Sequence, residues 1–270
     1  MIEQFIKITN GGRKMDWRDS ALLERQDRAG YTVLEALTPA ALPSSPSSSR
    51  PGAYICVDGK TYWLKGTVQQ GLVAELIAGR LAGSIGVGPV NKIIRLTEAA
   101  ARPNEVHLHG IVAGSEDQPG TVNARELQPF VQSGQFQASL IDAQSRAQIV
   151  AFQTWIGVGD SQVLVSLTDG RIYSIDHGEC FGNLPDPAGT LTVVVTDIPG
   201  VNPDVGRESV YVLPALDRIE AVTHETLLSA VAQVPSGDAW KSPTDRRLAI
   251  GRWLAERQAA MRGVMQSWMH

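Results

Sequence analysis

The stretch from Asp160 to Gly178 constrains the fold most, because it sets isolated acids at the two open ends of a predicted β-hairpin. Val163 to Leu167 and Ile172 to Ile175 are apolar, β-branched runs joined by Asp169-Gly170, the dipeptide favoured where both central turn residues take positive φ. With Asp169-Gly170 as a two-residue type I′ loop, Thr168 pairs with Arg171 and Val163 with Asp176. Gln162 and Asp176 then lie near each other, and Asp160 comes just before them in a glycine-flanked loop, Gly157-Val158-Gly159. Carboxylates and an amide converging on one hairpin end suit Mg²⁺ and phosphate oxygens, since Mg²⁺ takes a few hard oxygen ligands plus waters and the ligand's own oxygens. An Asp on either side of a strand is also an ordinary turn or cap residue, so the pattern needs support from elsewhere in the chain.

That support lies upstream. Ala53 to Val57 and Thr61 to Lys65 read as two strands around another Asp-Gly turn, Asp58-Gly59, and Lys65 is the only charge on the second strand. The following segment places Val73, Ile77, Leu81 and Ile85 four apart, the narrow apolar stripe of an amphipathic helix. Glu75 falls in the first turn of that helix, near the edge of the stripe, and faces back toward the sheet. A strand lysine followed by a helix glutamate is the ion pair that orients a lysine toward nucleotide phosphates. Each residue alone reads as solvated surface; in order with Asp160 and Asp176 they read as one site.

These residues also carry a family resemblance. The run from Tyr62 to Val90, above all Leu72-Val73-Ala74-Glu75-Leu76-Ile77-Ala78-Gly79, is similar to the N-terminal lobe of the HipA-like kinase family. Phe152 to Asp160 resembles the helix end that leads into the family's catalytic loop, and Ile175-Asp176-His177-Gly178 through Gly182 resembles its metal-binding segment. Ile219 to Thr226, Val234-Pro235, Trp240 and Arg252 to Arg257 are similar to its helical C-terminus, so the likeness spans roughly residues 30 to 262.

The resemblance implies an α+β, two-lobed protein-kinase-like fold: an N-terminal extension over 1–30, a small β-rich N-lobe over 31–114 and a mainly helical C-lobe over 115–270. It implies Asp160 as catalytic base or hydroxyl-orienting group, Lys65 with Glu75 as the phosphate-orienting pair, and Asp176 as principal Mg²⁺ ligand. ATP and Mg²⁺ are the implied cofactors. Gln162 stands as second metal ligand where the family has Asn, Ser48, Ser49 and Arg50 would cover the phosphates, and Leu108 and Gly110 fall where a hinge contacts adenine. Two departures stand out. After its catalytic Asp the family places an Arg, then three residues, then the Asn, whereas Asp160 is followed here by Ser161 and Gln162, so the loop is about three residues shorter. Relatives are glycine-rich where this chain has Leu42 to Gly52, whose prolines supply no N–H; the segment is either a flexible Ser/Pro linker or a phosphate-covering loop built from serine amides, hydroxyls and Arg50.

A formal charge of −4 and a pI near 5.8 argue against a nucleic-acid-binding surface spread over the chain. No apolar run reaches the ~18 residues of a membrane span, and residues 1–7 lack the apolar core of a signal peptide, so the cytoplasm is the expected location. Cys56 and Cys180 offer neither a disulfide framework nor metal spacing; Cys180 reads as a small buried hydrophobe. His107 and His109 share a strand face without a visible third ligand. Residues 1–30 read as an extension or short helix outside the core, and 115–123 as a polar loop. Toward the C-terminus, Thr223 is an expected N-cap and Ser242-Pro243 opens a helix with Pro in its first position. Arg246-Arg247 is expected as a solvated pair, and Ile250, Leu254, Met261, Met265 and Trp268 as a core face.

Three functions are compatible with these residues: transfer of phosphate from ATP to a protein Ser or Thr, a pseudokinase that binds nucleotide or a partner without turnover, and phosphorylation of a small molecule or lipid. The acceptor stays open, and so does a partner protein.

Overall fold

A computed structural model describes residues 17–41, 52–65, 69–103, 110–181, 191–236, 240 and 242–270. The strand-rich part is a closed barrel of β1 (Val33–Pro39), β2 (Ala53–Cys56), β3 (Thr61–Leu64), β4 (Asn91–Leu96) and β5 (Gly110–Glu116), in the order β1-β2-β3-β5-β4. It closes through parallel pairing of β1 with β4, Val33 opposite Ile93. Strand alternation sorts the side chains: Tyr54, Cys56, Tyr62, Leu64, Ile94, Leu96 and Val112 fill the interior. β4 is buried on both faces, because Ile93 and Asn91 point the other way, under α2 (Gln69–Ile85).

Both Asp-Gly dipeptides lie in the loops of their hairpins, and the second hairpin departs from its expected register. Cys56 pairs with Lys60 across a three-residue loop in which Gly59 alone takes positive φ, +78°. In the second hairpin, β7 (Gln162–Ser166) and β8 (Ile172–Ile175) pair Val163 with Ser174, and the loop is the four residues from Leu167 to Gly170, not a two-residue type I′ turn. Asp169 does not take positive φ; it accepts a hydrogen bond from the Arg171 amide instead. The register is set from outside the hairpin: the β8 amides of Ile172 and Ser174 donate to Ser145 Oγ (3.2 Å) and Val87 O (2.8 Å). Because the shift is two residues, the inward-facing side chains are those expected, and Gln162 still ends beside Asp176.

α2 begins at Gln69, so Glu75 lies in its second turn and not its first, and the helix is buried almost all round rather than along one stripe. Ala74, Ala78, Gly79 and Ala82 fill the flanks between the apolar residues and allow β4, β5 and α6 (His224–Ala232) to approach. The remainder is mainly helical: α3 (Gln128–Gln132), α4 (Ala143–Ile156), α5 (Ser209–Glu220), α6 and α7 (Thr244–Gln266). Within 115–123, expected as a loop, Thr121–Asn123 forms β6 and adds a third strand to β7 and β8. Thr223 caps α6 as expected, whereas Pro243 is itself the N-cap of α7. No helix among the described residues is long and apolar enough to cross a membrane.

Two expectations fail through one contact. α1 (Trp17–Ala29) is not outside the core: Leu23 is fully buried, and the helix packs on α6 and α7. Arg247 is 0% exposed rather than solvated, and it donates to Ala232 O, Val234 O and, at 2.5 Å, Asp27 Oδ2 of α1. Burial would raise the Asp27 pKa, but hydrogen bonds from Arg247 and Tyr31 and the guanidinium charge outweigh it and hold the carboxyl below its usual range. The lower folded-state pKa means that this contribution is present above the unfolded value, about 3.9, and is lost as pH falls through the folded one. Asp27→Asn is therefore expected to cost about 2 kcal/mol in urea unfolding at neutral pH, a difference that shrinks in acid. A loss that stays constant down to strongly acidic pH would contradict the ion pair.

Candidate active site

Lys65 directly follows β3, its amide donating to Ala113 O of β5 at 2.7 Å. Its Nζ lies 3.3 Å from Asp176 Oδ1 and 3.8 Å from Glu75 Oε1, with side chains only 11%, 11% and 2% exposed. A cation this far out of water stays where the two carboxylates hold it. Glu75 is held in turn by Asn91, whose Nδ2 donates to Glu75 Oε1 (2.9 Å) and to the Glu75 backbone carbonyl (2.8 Å). Gly79, one turn on, leaves the space that Asn91 occupies: a Cβ there would stand 2.3 Å from Asn91 Cγ.

Asp176 follows β8 at φ +60°, in the left-handed region that few residues other than Gly, Asn and Asp enter, and strain of this kind concentrates at functional sites. The conformation turns its carboxylate across to Gln162, whose Nε2 donates to Asp176 Oδ2 (2.5 Å) and to Asp160 Oδ2 (3.2 Å). Asp160, 44% exposed, also contacts Arg125 through Oδ1. The five acidic, basic and amide residues expected from the sequence thus form one chain of contacts: Glu75, Lys65, Asp176, Gln162, Asp160.

The loop carrying Asp160 is fixed at both ends. Gly157, at φ +60°, ends α4, and its missing Cβ leaves room for Trp253, while Arg257 donates to the last carbonyls of α4, Trp155 O (2.7 Å) and Thr154 O (2.5 Å). Gly159 N donates to Glu179 O at 3.0 Å, tying the loop to the segment after Asp176. Beneath it, the fully buried Gln153 uses its whole amide: Oε1 accepts from Ser161 Oγ and Thr196 Oγ1, and Nε2 donates to Gln162 O and Ser174 Oγ. Ser174 Oγ continues to His177 Nε2 at 2.9 Å. Burial pushes the His177 pKa down despite Glu75 nearby, so the ring is a neutral packing element, edge-on to Phe152.

A cation fits between these carboxylates. Asp176 and Asp160 are bridged by the amide protons of Gln162, and the ammonium of Lys65 lies between Asp176 and Glu75; these donors occupy the place of positive charge, and Glu75 Oε2 has no hydrogen-bond partner among the described residues. The protein's own oxygens around Gln162 come from two carboxylates, Asp176 and Asp160, so waters and phosphate oxygens would complete the shell of a cation held there. That suits Mg²⁺, which keeps waters and takes phosphate oxygens, better than a metal that needs a full protein cage.

The sequence profile of the HipA-like kinase family matches residues 44–186, more than half of the chain. The chain belongs to the HipA-like kinase family. The match runs from before β2 to just past Phe181 and so contains the whole cluster from Lys65 to Asp176. Among solved structures, the crystal structure of the Helicobacter pylori proinflammatory kinase CtkA is similar, with a TM-score of 0.51 and 13% identity over 87% of this chain and 97% of that one. At that identity the likeness is one of fold, and it extends through the helical part beyond the family match. A search of curated protein sequences returned no match.

Within the HipA-like domain, Gly110 opens β5 opposite Leu96, four residues along the strand from Gly114, the partner of Leu64. Ser48, Ser49, Arg50 and Leu108, with His107 and His109, lie outside the described residues. Cys180 is half-buried with Sγ 3.8 Å from Ala74 O, and burial raises its thiol well above the usual range, which keeps it protonated. A cavity of about 850 Å³ lies elsewhere, between α1, α2, β4 and α6, and none of the five cluster residues lines it. Asn91, Asn123, Arg125 and Gln153 belong to the site's surroundings and were not singled out by sequence reasoning. Only Asn123 carried a local signal: its side chain accepts from the Arg125 amide at the start of a 3-10 turn, Ala124–Glu126.

Proposed function

We propose that this HipA-like kinase is an ATP- and Mg²⁺-dependent phosphotransferase with a two-lobed, protein-kinase-like organisation, acting on a hydroxyl, with Ser or Thr of a protein as the favoured acceptor. The observation that carries the reading is the unbroken chain of contacts from Glu75 through Lys65, Asp176 and Gln162 to Asp160, drawn from an α-helix, three strand ends and a loop. Phosphoryl transfer needs little covalent chemistry from a protein; it needs positioned charge.

When bound, ATP supplies the phosphoryl group and Mg²⁺ neutralises its oxygens. Lys65, kept extended by Glu75 and Asn91, orients the phosphates. Asp176 holds the metal, with Gln162 joining it by turning its amide so that Oε1 replaces Nε2. Asp160, the most exposed acid of the cluster, orients the acceptor hydroxyl. The acceptor oxygen bonds to the γ-phosphorus as the bond to the β–γ bridging oxygen breaks; ADP leaves with that electron pair, and Asp160 takes the hydroxyl proton.

The pseudokinase reading draws on one observation: Gln162 presents its N–H groups, not its oxygen, to both carboxylates. One experiment separates the two. Asp160→Asn is expected to leave Mg·ATP affinity in calorimetry nearly unchanged while lowering γ-phosphate transfer about 10²- to 10⁴-fold. Nucleotide binding without transfer in the wild type would select the pseudokinase, and absence of nucleotide binding in well-folded protein would refute both.

A further inference from the structure

Arg125 is 58% exposed and pairs with Asp160, 44% exposed. An ion pair this open contributes roughly 0–1 kcal/mol to stability, so the fold does not need it. Its placement is nevertheless tightly built. β6 pairs antiparallel with β7, Asn123 opposite Leu164, so the backbone leading to Arg125 is bonded to the strand that opens with Gln162. Asn123 then works in two directions: its Oδ1 accepts from the Arg125 amide at 2.9 Å, and its Nδ2 donates to Gln162 Oε1 at 3.4 Å.

The loop from Gly157 to Gln162 carries no cation of its own, and among the described residues Arg125 is the only cation ion-paired to Asp160. Lys65, the other cation of the cluster, is only 11% exposed and is held between Glu75 and Asp176. If Asp160 receives the acceptor hydroxyl, as the proposed function has it, that oxygen lies about 2.6–3.2 Å from the carboxylate. The phosphorus it attacks is then about 3–3.5 Å further on. A guanidinium seated on the same carboxylate is within reach of the oxygens of that phosphorus, and with one nitrogen on Asp160 its other N–H donors can bind them as a planar fork.

We propose that Arg125 is a catalytic residue that binds the transferred phosphoryl group, delivered from β6 to a catalytic loop without a cation. This rests on Asp160 as the acceptor-side carboxylate, and it predicts discrimination by the third phosphate. Wild type, Arg125→Ala and Arg125→Lys are titrated by calorimetry with Mg·ADP and with a Mg-bound non-hydrolysable ATP analogue, and phosphate transfer is measured in parallel. Arg125→Ala is expected to weaken the analogue roughly 10- to 100-fold, leave ADP unchanged and abolish most transfer, with Arg125→Lys in between. Equal weakening of both nucleotides would mark a structural role and overturn the proposal, as would unchanged affinity for both. Failure of the wild type to bind either nucleotide would instead refute the kinase reading on which it rests.

Discussion

Replacing Asp176 with alanine is expected to abolish Mg²⁺-dependent nucleotide binding and to lower phosphate transfer roughly a thousand-fold or more, because the principal metal ligand and one of the two anchors of Lys65 are removed together. Two effects have to be separated. Asp176 sits at φ +60°, where alanine is strained by about 1 kcal/mol, so the alanine variant also loosens the turn. Asp176→Asn is the control: asparagine tolerates the left-handed conformation and keeps an oxygen, but lacks the charge. It is expected to retain the wild-type melting temperature while losing most of the Mg²⁺ dependence of ATP affinity. Calorimetry with and without Mg²⁺ and a thermal melt decide the matter. If both variants bound Mg·ATP as the wild type does, the metal assignment would be wrong.

Gly79→Ala tests how the other half of the site is held. In an ordinary helix interior this change stabilises by up to about 1 kcal/mol. Here the new methyl would stand 2.3 Å from both Asn91 Cγ and Nδ2, so Asn91 must leave. Its two hydrogen bonds to Glu75 go with it, and among the described residues the carboxylate, 2% exposed, keeps the 3.8 Å contact to Lys65 and the more distant His177 ring. Overpacking plus two lost buried bonds sums to about 3 kcal/mol of destabilisation, read from urea unfolding, and Mg·ATP affinity should fall as Lys65 loses its brace. The double variant Gly79→Ala, Asn91→Ala supplies the internal check. Alanine at 91 removes the two closest atoms, Cγ and Nδ2, and leaves only its Cβ at 2.8 Å, so the collision is eased and the two costs should combine to less than their sum. Strict additivity would mean that the two residues do not meet.

Much of the site was legible because its residues break local patterns. Lys65 is the one charge ending an apolar strand, Glu75 the one acid in the helix that follows, and Asp160 and Asp176 bracket a hairpin whose strands are largely apolar. Isolated charges next to buried elements must meet each other or water, which is why their order along the chain anticipated one cluster. The details that failed share another cause. Asp169-Gly170 reads as a two-residue turn by its own preference, yet that hairpin has a four-residue loop, with Val87 and Ser145, remote in sequence, claiming the β8 amides. Arg247 read as solvated since nothing local shows that helix-end carbonyls and Asp27 wait for it.

The sequence by itself determined the kind of elements, the alternating faces of the barrel strands and the set of charged residues that need partners, since these follow from period, propensity and the cost of stranding a charge. Only the tertiary structure decided the barrel's parallel closure, the burial of α2 on all sides, the docking of α1 and the arrival of Arg125 and Asn123 beside Asp160 and Gln162. These are contacts between segments tens of residues apart. They are settled by which surfaces can be packed together without stranding a polar group, and no local pattern carries that information.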